Sequence, residues 1–218
     1  LLLAGMSYCL NPGCPMPHNP DGTKFCRSCG SKLLLKDRYY AIKPLGQGGF
    51  GRTFLAVDED KPSKPRCVIK QFFPQAQGTS NVQKAAELFQ QEAKRLDELG
   101  QHPQIPDLLA HFDQDGRQYL VQEFIEGFTL AQELAAKGAF NETQIRQLLD
   151  DLLPLLEFVH NHEVIHRDIK PDNIIRRSPP SPPFLRGGVV EGQLVLVDFG
   201  AAKVATAAAL QHTGTTIG

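Results

Sequence analysis

The sequence predicts an α+β fold in two lobes, an antiparallel sheet with one helix followed by a partly helical region, prefaced by a short segment that lacks the means to build its own core. Three observations predict it. Short β-type runs separated by turn residues fill 39–72 and 105–124, an amphipathic pattern with a capping signal opens at Asn141, and four of the five cysteines fall within the first 29 of 218 residues.

The composition is that of an ordinary globular chain, 41% hydrophobic and 22% charged, long enough for one medium domain or two small ones. A formal net charge of -1 gives no global electrostatic pull toward nucleic acid or an acidic membrane. No apolar run approaches the ~20 residues needed to span a bilayer, and the opening Leu-Leu-Leu-Ala-Gly lacks a basic leader and a cleavage site. Met6 reads as the start of translation, with Leu1 to Gly5 as upstream sequence, and the expected location is cytoplasmic.

Residues 6–36 are rich in Cys, Pro, Gly and Asn and show almost no apolar periodicity, so another interaction must hold them. From Tyr39 the pattern predicts strands over Tyr39–Leu45, Thr53–Val57 and Cys67–Phe72. A helix follows over Val82–Leu99, with Glu92 on its apolar stripe beside Leu88, Leu96 and Leu99. Two more strands, Ile105–Phe112 and Gln118–Phe124, joined by a turn at Asp113 to Gly116, complete a five-stranded sheet. The junction to the second lobe falls near Glu123 to Gly127. Asn141-Glu-Thr-Gln caps a long helix whose apolar set is Ile145, Leu148, Leu149, Leu152, Leu156 and Val159, with Pro154 as a kink or a break. The Ser/Pro-rich stretch between Arg176 and Gln193 cannot continue a helix or central strand and reads as a loop insertion, the alternative being a Pro-rich ligand for a partner domain.

Gly46-Gln47-Gly48-Gly49-Phe50-Gly51 fits G-x-G-x-x-G. The pattern serves dinucleotide-binding folds, other phosphate-binding hairpins and hairpins with no ligand at all. A second strand follows here instead of a helix, which favours a hairpin whose backbone N–H groups approach phosphates closely. Val68-Ile69-Lys70 ends an apolar strand with a lysine. Alone it reads as a solvated edge residue; with Glu92 on the next helix, each charge offsets the other's desolvation. His166-Arg167-Asp168-Ile169-Lys170-Pro171-Asp172-Asn173 sets a carboxylate, a cation and a carboxamide in one turn-rich segment. Asp198-Phe199-Gly200 then follows an apolar strand at Leu194–Val197. Two hard oxygen ligands, Asn173 and Asp198, suit Mg²⁺. Asp168 is placed to accept a hydroxyl proton, and Lys170 to offset charge on a transferred phosphoryl group.

These five elements in this order resemble the eukaryotic-type protein kinase family over Arg38 to Gly218, and Lys170, where tyrosine kinases usually carry alanine, matches the serine/threonine pattern. The resemblance implies a domain over 38–218, with an amino-terminal lobe over 38–125 and part of a carboxy-terminal lobe over 126–218. It implies ATP and Mg²⁺ as cofactors and transfer of the γ-phosphate to a protein hydroxyl. Gln122 becomes the gatekeeper, Glu123 to Ile125 the hinge that binds adenine, and Leu96, His166 and Phe199 members of a spine. Thr53 stands for the usual valine and Val68 for the usual alanine, both small enough to keep ATP binding. Thr213-Gly214-Thr215-Thr216 resembles the end of an activation loop, with Thr215 and Thr216 as candidate phosphosites facing Arg167. No Ala-Pro-Glu motif precedes Gly218. The alternative function is therefore an ATP-binding interaction module with impaired catalysis, or a kinase fragment lacking the substrate-binding lobe, and the protein substrate is not specified by the sequence.

Cys9-x4-Cys14, eleven residues, then Cys26-x2-Cys29 places two pairs on two turns, the spacing of a tetrahedral Zn²⁺ site; disulfides or free thiols are the alternatives. The segment 6–36 resembles the small zinc ribbon found before some bacterial, notably cyanobacterial, kinase domains. His18 is a candidate substitute ligand or a surface histidine, and Cys67 a small buried strand residue.

Overall fold

The computed structural model describes residues 6–48, 51–74, 79–178, 192–201 and 203–204. Gly49, Phe50, Thr215, Thr216, Leu1 to Gly5 and most of the Ser/Pro-rich stretch lie outside the described residues. The chain divides into two compact units, one formed by 1–89 with 108–124 and the other by 90–107 with 125–218.

In the first unit, β1 (Met6–Tyr8) and β2 (His18–Pro20) form a two-stranded ribbon. A second, larger sheet takes β3 (Leu34–Leu35), β4 (Tyr39–Gln47), β5 (Gly51–Asp58), β6 (Arg66–Phe72), β7 (Leu108–Gln114) and β8 (Arg117–Glu123) in the order β3-β4-β5-β6-β8-β7. Every pairing in it is antiparallel. The expected five-stranded sheet is thus six-stranded. Leu34 and Leu35 are too short a run to read as a strand alone, but pairing with Tyr40 and Tyr39 lets Leu35 enter the core.

Two boundaries also shift. The strand expected from Ile105 starts at Leu108, because Pro106 has no N–H for a ladder and Ile105 N donates instead to His102 O. The turn expected over four residues is confined to Asp115 and Gly116, at φ 50° and 70°, since Asp113 and Gln114 already pair with Gln118 and Arg117. Positive φ at both central positions matches the twist of a two-residue hairpin, and glycine takes the second at no steric cost.

One face of the sheet packs Tyr39, Ala41, Phe54, Ala56, Cys67, Ile69, Phe112, Tyr119 and Val121 with Leu10 and Leu35 from the cysteine segment. Cys67 is fully buried there, as its strand position predicts, and burial pushes its thiol up to about 12. The Tyr40 hydroxyl donates to Thr23 O, and Lys36 N donates to Gln114 Oε1 at 2.8 Å. These contacts fasten the cysteine segment to the sheet.

Helix α1 (Thr79–Leu99) buries Glu92, Leu96 and Leu99 as the stripe predicts, but Phe89 is buried in place of the expected Leu88, which is half-buried; the division between the units falls within this helix. In the second unit come β9 (Gly127–Thr129), α2 (Leu130–Lys137) and α3 (Glu142–Asn161). Each helix opens on a capping box, Thr129 with Gln132 and Asn141 with Gln144. Pro154 sits inside α3. Of the apolar set expected for α3, Leu152 and Val159 are buried, Leu148 and Leu156 half-buried, and Ile145 and Leu149 exposed; Leu155, outside that set, is buried, so the buried line follows 152, 155 and 159.

After α3, β10 (Val164–Ile165), β11 (Ile174–Arg177), β12 (Leu194–Leu196) and β13 (Lys203–Val204) form two small sheets, β12-β11-β9 and β10-β13. Arg176 and Arg177 belong to β11, and Arg177 N donates to Gln193 O while Gly192 N returns to Arg177 O. The insertion is therefore the connection of a β11–β12 hairpin. Gly127 must be glycine: a Cβ there would stand 2.1 Å from Arg176 O.

Asp58 is fully buried at the end of β5 and held by Arg38, whose Nε and Nη2 donate to its two carboxylate oxygens at 2.8 and 2.7 Å. This bidentate contact outweighs the opposing effect of burial and holds the Asp58 pKa below the ordinary carboxylate value. Its contribution to stability is present above the unfolded value of about 3.9 and is lost as pH falls through the lowered folded one. Asp58→Asn is expected to cost about 1.5–3 kcal/mol at neutral pH by chemical denaturation, and the gap between variant and parent should close as pH drops below about 4.

Candidate functional site

Each unit assembles its own set of polar groups. In the first, β4 and β5 form the arms of the glycine-rich hairpin, with Gly46 opposite Thr53, Gln47 opposite Arg52, and Gly48 N donating to Gly51 O at 2.9 Å. Gly51 packs so tightly on β6 that a Cβ would stand 2.2 Å from Gln71 O, so this glycine is a close-approach position. Lys70 on β6 lies between Thr53 on β5 and Leu120 on β8, two register steps from Gly51 at the hairpin exit. Glu123 ends β8 opposite Cys67, and Gln122 is buried with its Oε1 unpartnered; Ile125, buried, is the first residue of the second unit's longer stretch.

In the second unit the segment 166–173 is pinned at both ends. His166 is buried; its Nδ1 lies 3.3 Å from Asp168 N, which donates to it, leaving Nε2 to donate to Val197 O at 3.2 Å. The imidazole also meets Phe199 edge-on at 4.7 Å. Asn173 N donates to Lys170 O, Val197 N donates to Asn173 O, and the segment carrying Asp168 is thereby laced to the one carrying Asp198.

Inside this frame Asn173 Nδ2 donates to Asp168 O and to Asp168 Oδ2, each at 2.9 Å. Both amide hydrogens are taken up, which fixes the carboxamide orientation and leaves Oδ1 as the oxygen that could meet a cation. Lys170 Nζ lies 2.9 Å from Asp168 Oδ2. Lys170 first, and Asn173 after it, hold the Asp168 carboxyl below its ordinary pKa, while Asp168 holds the Lys170 ammonium above its own. Arg167 and Asp198 take φ of 71° and 67°, a backbone region that residues with a Cβ visit at a cost and that concentrates at functional sites. Asp198 is exposed and carries an oxygen donor, so the Asn173 and Asp198 donor set fits a hard divalent cation. Glu92 is buried in this unit, its Oε2 3.2 Å from where a Cβ on Gly200 would stand.

The four cysteines converge. Their sulfur atoms all lie within 4.8 Å of one another, with Cys9 and Cys29 Sγ 3.5 Å apart and Cys14 and Cys26 Sγ 3.6 Å apart. These separations are far longer than a disulfide bond and close to the roughly 3.8 Å edge of a tetrahedron with 2.3 Å metal–sulfur bonds. The Ser31 hydroxyl, 3.3 Å away, draws the Cys29 thiol down to about 6, whereas burial pushes the Cys9 thiol up. His18 is not a member: its ring packs edge-on against Tyr8 at 5.2 Å.

Sequence reasoning missed Arg52, Gln71 and Gln104. Gln104, almost wholly buried, donates through Nε2 to Asp151 O and Leu194 O, and its backbone carbonyl accepts from Leu196 N, which seats the strand before Asp198. A polar residue inside an apolar strand was the available signal for Gln71. Nothing local marks Gln104, whose partners lie 47 and 90 residues away.

Residues 39–217 match the model of the protein kinase domain. The chain is 45% identical over 198 residues to serine/threonine-protein kinase B of Synechocystis sp., covering 91% of this chain and 33% of that protein. It is 47% identical over 171 residues to serine/threonine-protein kinase C of the same organism, covering 78% of this chain and 30% of that protein. It is 44% identical over 182 residues to serine/threonine-protein kinase PknA of Nostoc sp., covering 83% and 30%. The chain spans about a third of the length of these relatives. Its matched residues, which take in the glycine-rich hairpin, Lys70, the Asp168 segment and Asp198, place it plainly: the chain belongs to the protein kinase domain family.

Proposed function

We propose that this chain carries the ATP-handling and phosphoryl-transfer residues of a serine/threonine protein kinase. The observation that carries the reading is the clamp of Asp168 between Lys170 and Asn173, laced by backbone to the Asp198 segment. The glycine-rich hairpin, with Gly46, Gln47, Gly48, Gly49, Phe50 and Gly51, is assigned to the phosphates of ATP together with Lys70, and Glu123 and Ile125 to its adenine.

Asp168, kept ionised across the neutral range, orients the incoming serine or threonine hydroxyl and accepts its proton as the new bond from that oxygen to the γ-phosphorus forms and the bond from the γ-phosphorus to the β,γ-bridging oxygen breaks, with ADP as the leaving group. A carboxylate of lowered pKa is a weak base, so orientation is the larger part of its work. Lys170, already beside Asp168, offsets negative charge on the transferred phosphoryl oxygens. Bound Mg²⁺ supplies charge neutralisation at the phosphates, with Asn173 Oδ1 and the Asp198 carboxylate as the groups that would hold it. His166 fixes the loop by bridging Asp168 N and Val197 O. Thr215 and Thr216 are assigned as phosphosites on their sequence pattern.

The cysteine segment is proposed to hold a structural Zn²⁺ through Cys9, Cys14, Cys26 and Cys29. Four convergent sulfurs leave no ligand position for chemistry.

The test of the kinase reading is transfer of labelled phosphate from Mg-ATP to a protein substrate by the protein that carries this chain. Asp168→Asn and Asp198→Ala should each lower kcat by about 10²–10⁴-fold. Undiminished transfer in Asp198→Ala overturns the assignment, and nucleotide binding with no transfer in the unaltered protein points to an interaction module. For the cysteine segment, elemental analysis of the purified chain should find about one zinc per chain, lost on Cys29→Ser. A chain purified with neither zinc nor another thiolate-bound metal, and unable to take zinc up, removes the site.

A further inference from the structure

Gln71 follows Lys70 on β6 and is fully buried. A primary amide offers two N–H donors and a carbonyl with two lone pairs, and here all four are used. Nε2 donates to Leu10 O at 2.9 Å and to the Tyr119 hydroxyl at 3.0 Å. Oε1 accepts from Arg52 Nε at 3.1 Å and Arg52 Nη2 at 2.5 Å. Arg52 Nη2 also donates to Leu10 O at 2.6 Å.

Three strands and the cysteine segment therefore meet at one side chain. Arg52 is the residue after Gly51, lies opposite Gln71 in the β5–β6 ladder, and stacks its guanidinium 5.2 Å from the Phe54 ring centroid and 5.3 Å from that of Phe73. The Gln71 backbone is the surface on which Gly51 rests. Leu10 is buried in the sheet core and follows Cys9, one of the four convergent cysteines. The Leu10 carbonyl accepts a bond from a guanidinium, a charge-assisted contact roughly twice as strong as a neutral one, so a shift of the Cys9 backbone is felt directly at the hairpin exit.

We propose that Gln71 is a positioning residue for nucleotide binding. It fixes the exit strand of the glycine-rich hairpin through Arg52, shares its backbone with Lys70, and ties both to the cysteine segment through Leu10, so that metal loading of the four cysteines tightens the binding of Mg-ATP. By linkage, Mg-ATP tightens the retention of the metal by the same factor. This rests on the kinase reading above for the ligand, but the link from the cysteines to β5 and β6 is independent of it.

The experiment is a two-by-two cycle on the chain: parent and Gln71→Met, each zinc-loaded and chelated. The affinity for Mg²⁺ with a non-hydrolysable ATP analogue is read by calorimetry, and amide hydrogen exchange over 51–58 and 66–72 is read without nucleotide. Chelation should weaken the parent's binding about tenfold, Gln71→Met should do the same while zinc-loaded, and chelation of the variant should add less than about twofold, because both changes break one connection. Exchange over both segments should rise in the same three states. If Gln71→Met fails to fold, Arg52→Met, at a half-buried position, carries the cycle. Chelation effects that multiply with those of the variant, or that leave exchange over 51–58 and 66–72 unchanged, overturn the proposal. A parent chain that binds no nucleotide sinks the kinase reading, and the exchange data still decide the link through Gln71.

Discussion

A polar group that leaves water must find its partners inside the fold, and this constraint fixes where the functional residues of the chain stand. Four buried side chains meet it, three of them by joining segments 20 or more residues apart and the fourth within one turn-rich segment. Asp58 takes both arms of Arg38, Gln71 takes Leu10, Arg52 and Tyr119, Gln104 takes Asp151 and Leu194, and Asn173 takes the backbone and carboxylate of Asp168. Removing one partner from such a group leaves the others unsatisfied, so each behaves as a junction.

The same constraint explains how strained backbone survives next to the Asp168 clamp. Arg167 and Asp198 sit at positive φ on either side of a lattice of backbone bonds in which Asn173 accepts from Val197 and Leu196 donates to Gln104. Several bonds over-determine the segment, and the cost of two unfavourable conformations is absorbed by them. The carboxylate of Asp168 and the amide oxygen of Asn173 are thereby held in place before any ligand arrives, which is the preorganisation that electrostatic catalysis draws on.

The cysteine segment depends on the sheet as much as the sheet uses it. With Cys9, Cys26 and Leu33 as its buried members, the segment has a very small core of its own, yet it lends Leu10 and Leu35 to the larger one and a two-residue strand to the sheet edge. A boundary drawn at residue 36 or 38 from composition therefore runs through a continuous hydrogen-bonded sheet. Composition registers what a segment lacks, and cannot register what its neighbour supplies.

By itself the sequence determined the local elements and the residues on which the proposed chemistry rests: the glycine-rich hairpin, Lys70 in its strand, the stripe that buries Glu92, the capped α3, the Asp168 and Asp198 segments, and the two cysteine pairs. All of these are local patterns, set by spacing along the chain and by the conformational limits of glycine, proline and capping residues. Only the tertiary structure decided that Leu34–Leu35 becomes a sixth strand, that Leu155 is buried while Ile145 and Leu149 are not, and that Gln71, Arg52 and Gln104 are junctions. The reason is physical. A hydrogen bond across 61 or 90 residues leaves no periodicity in the sequence, and its donor is bound to that one acceptor only once the fold has removed every water that could have served instead.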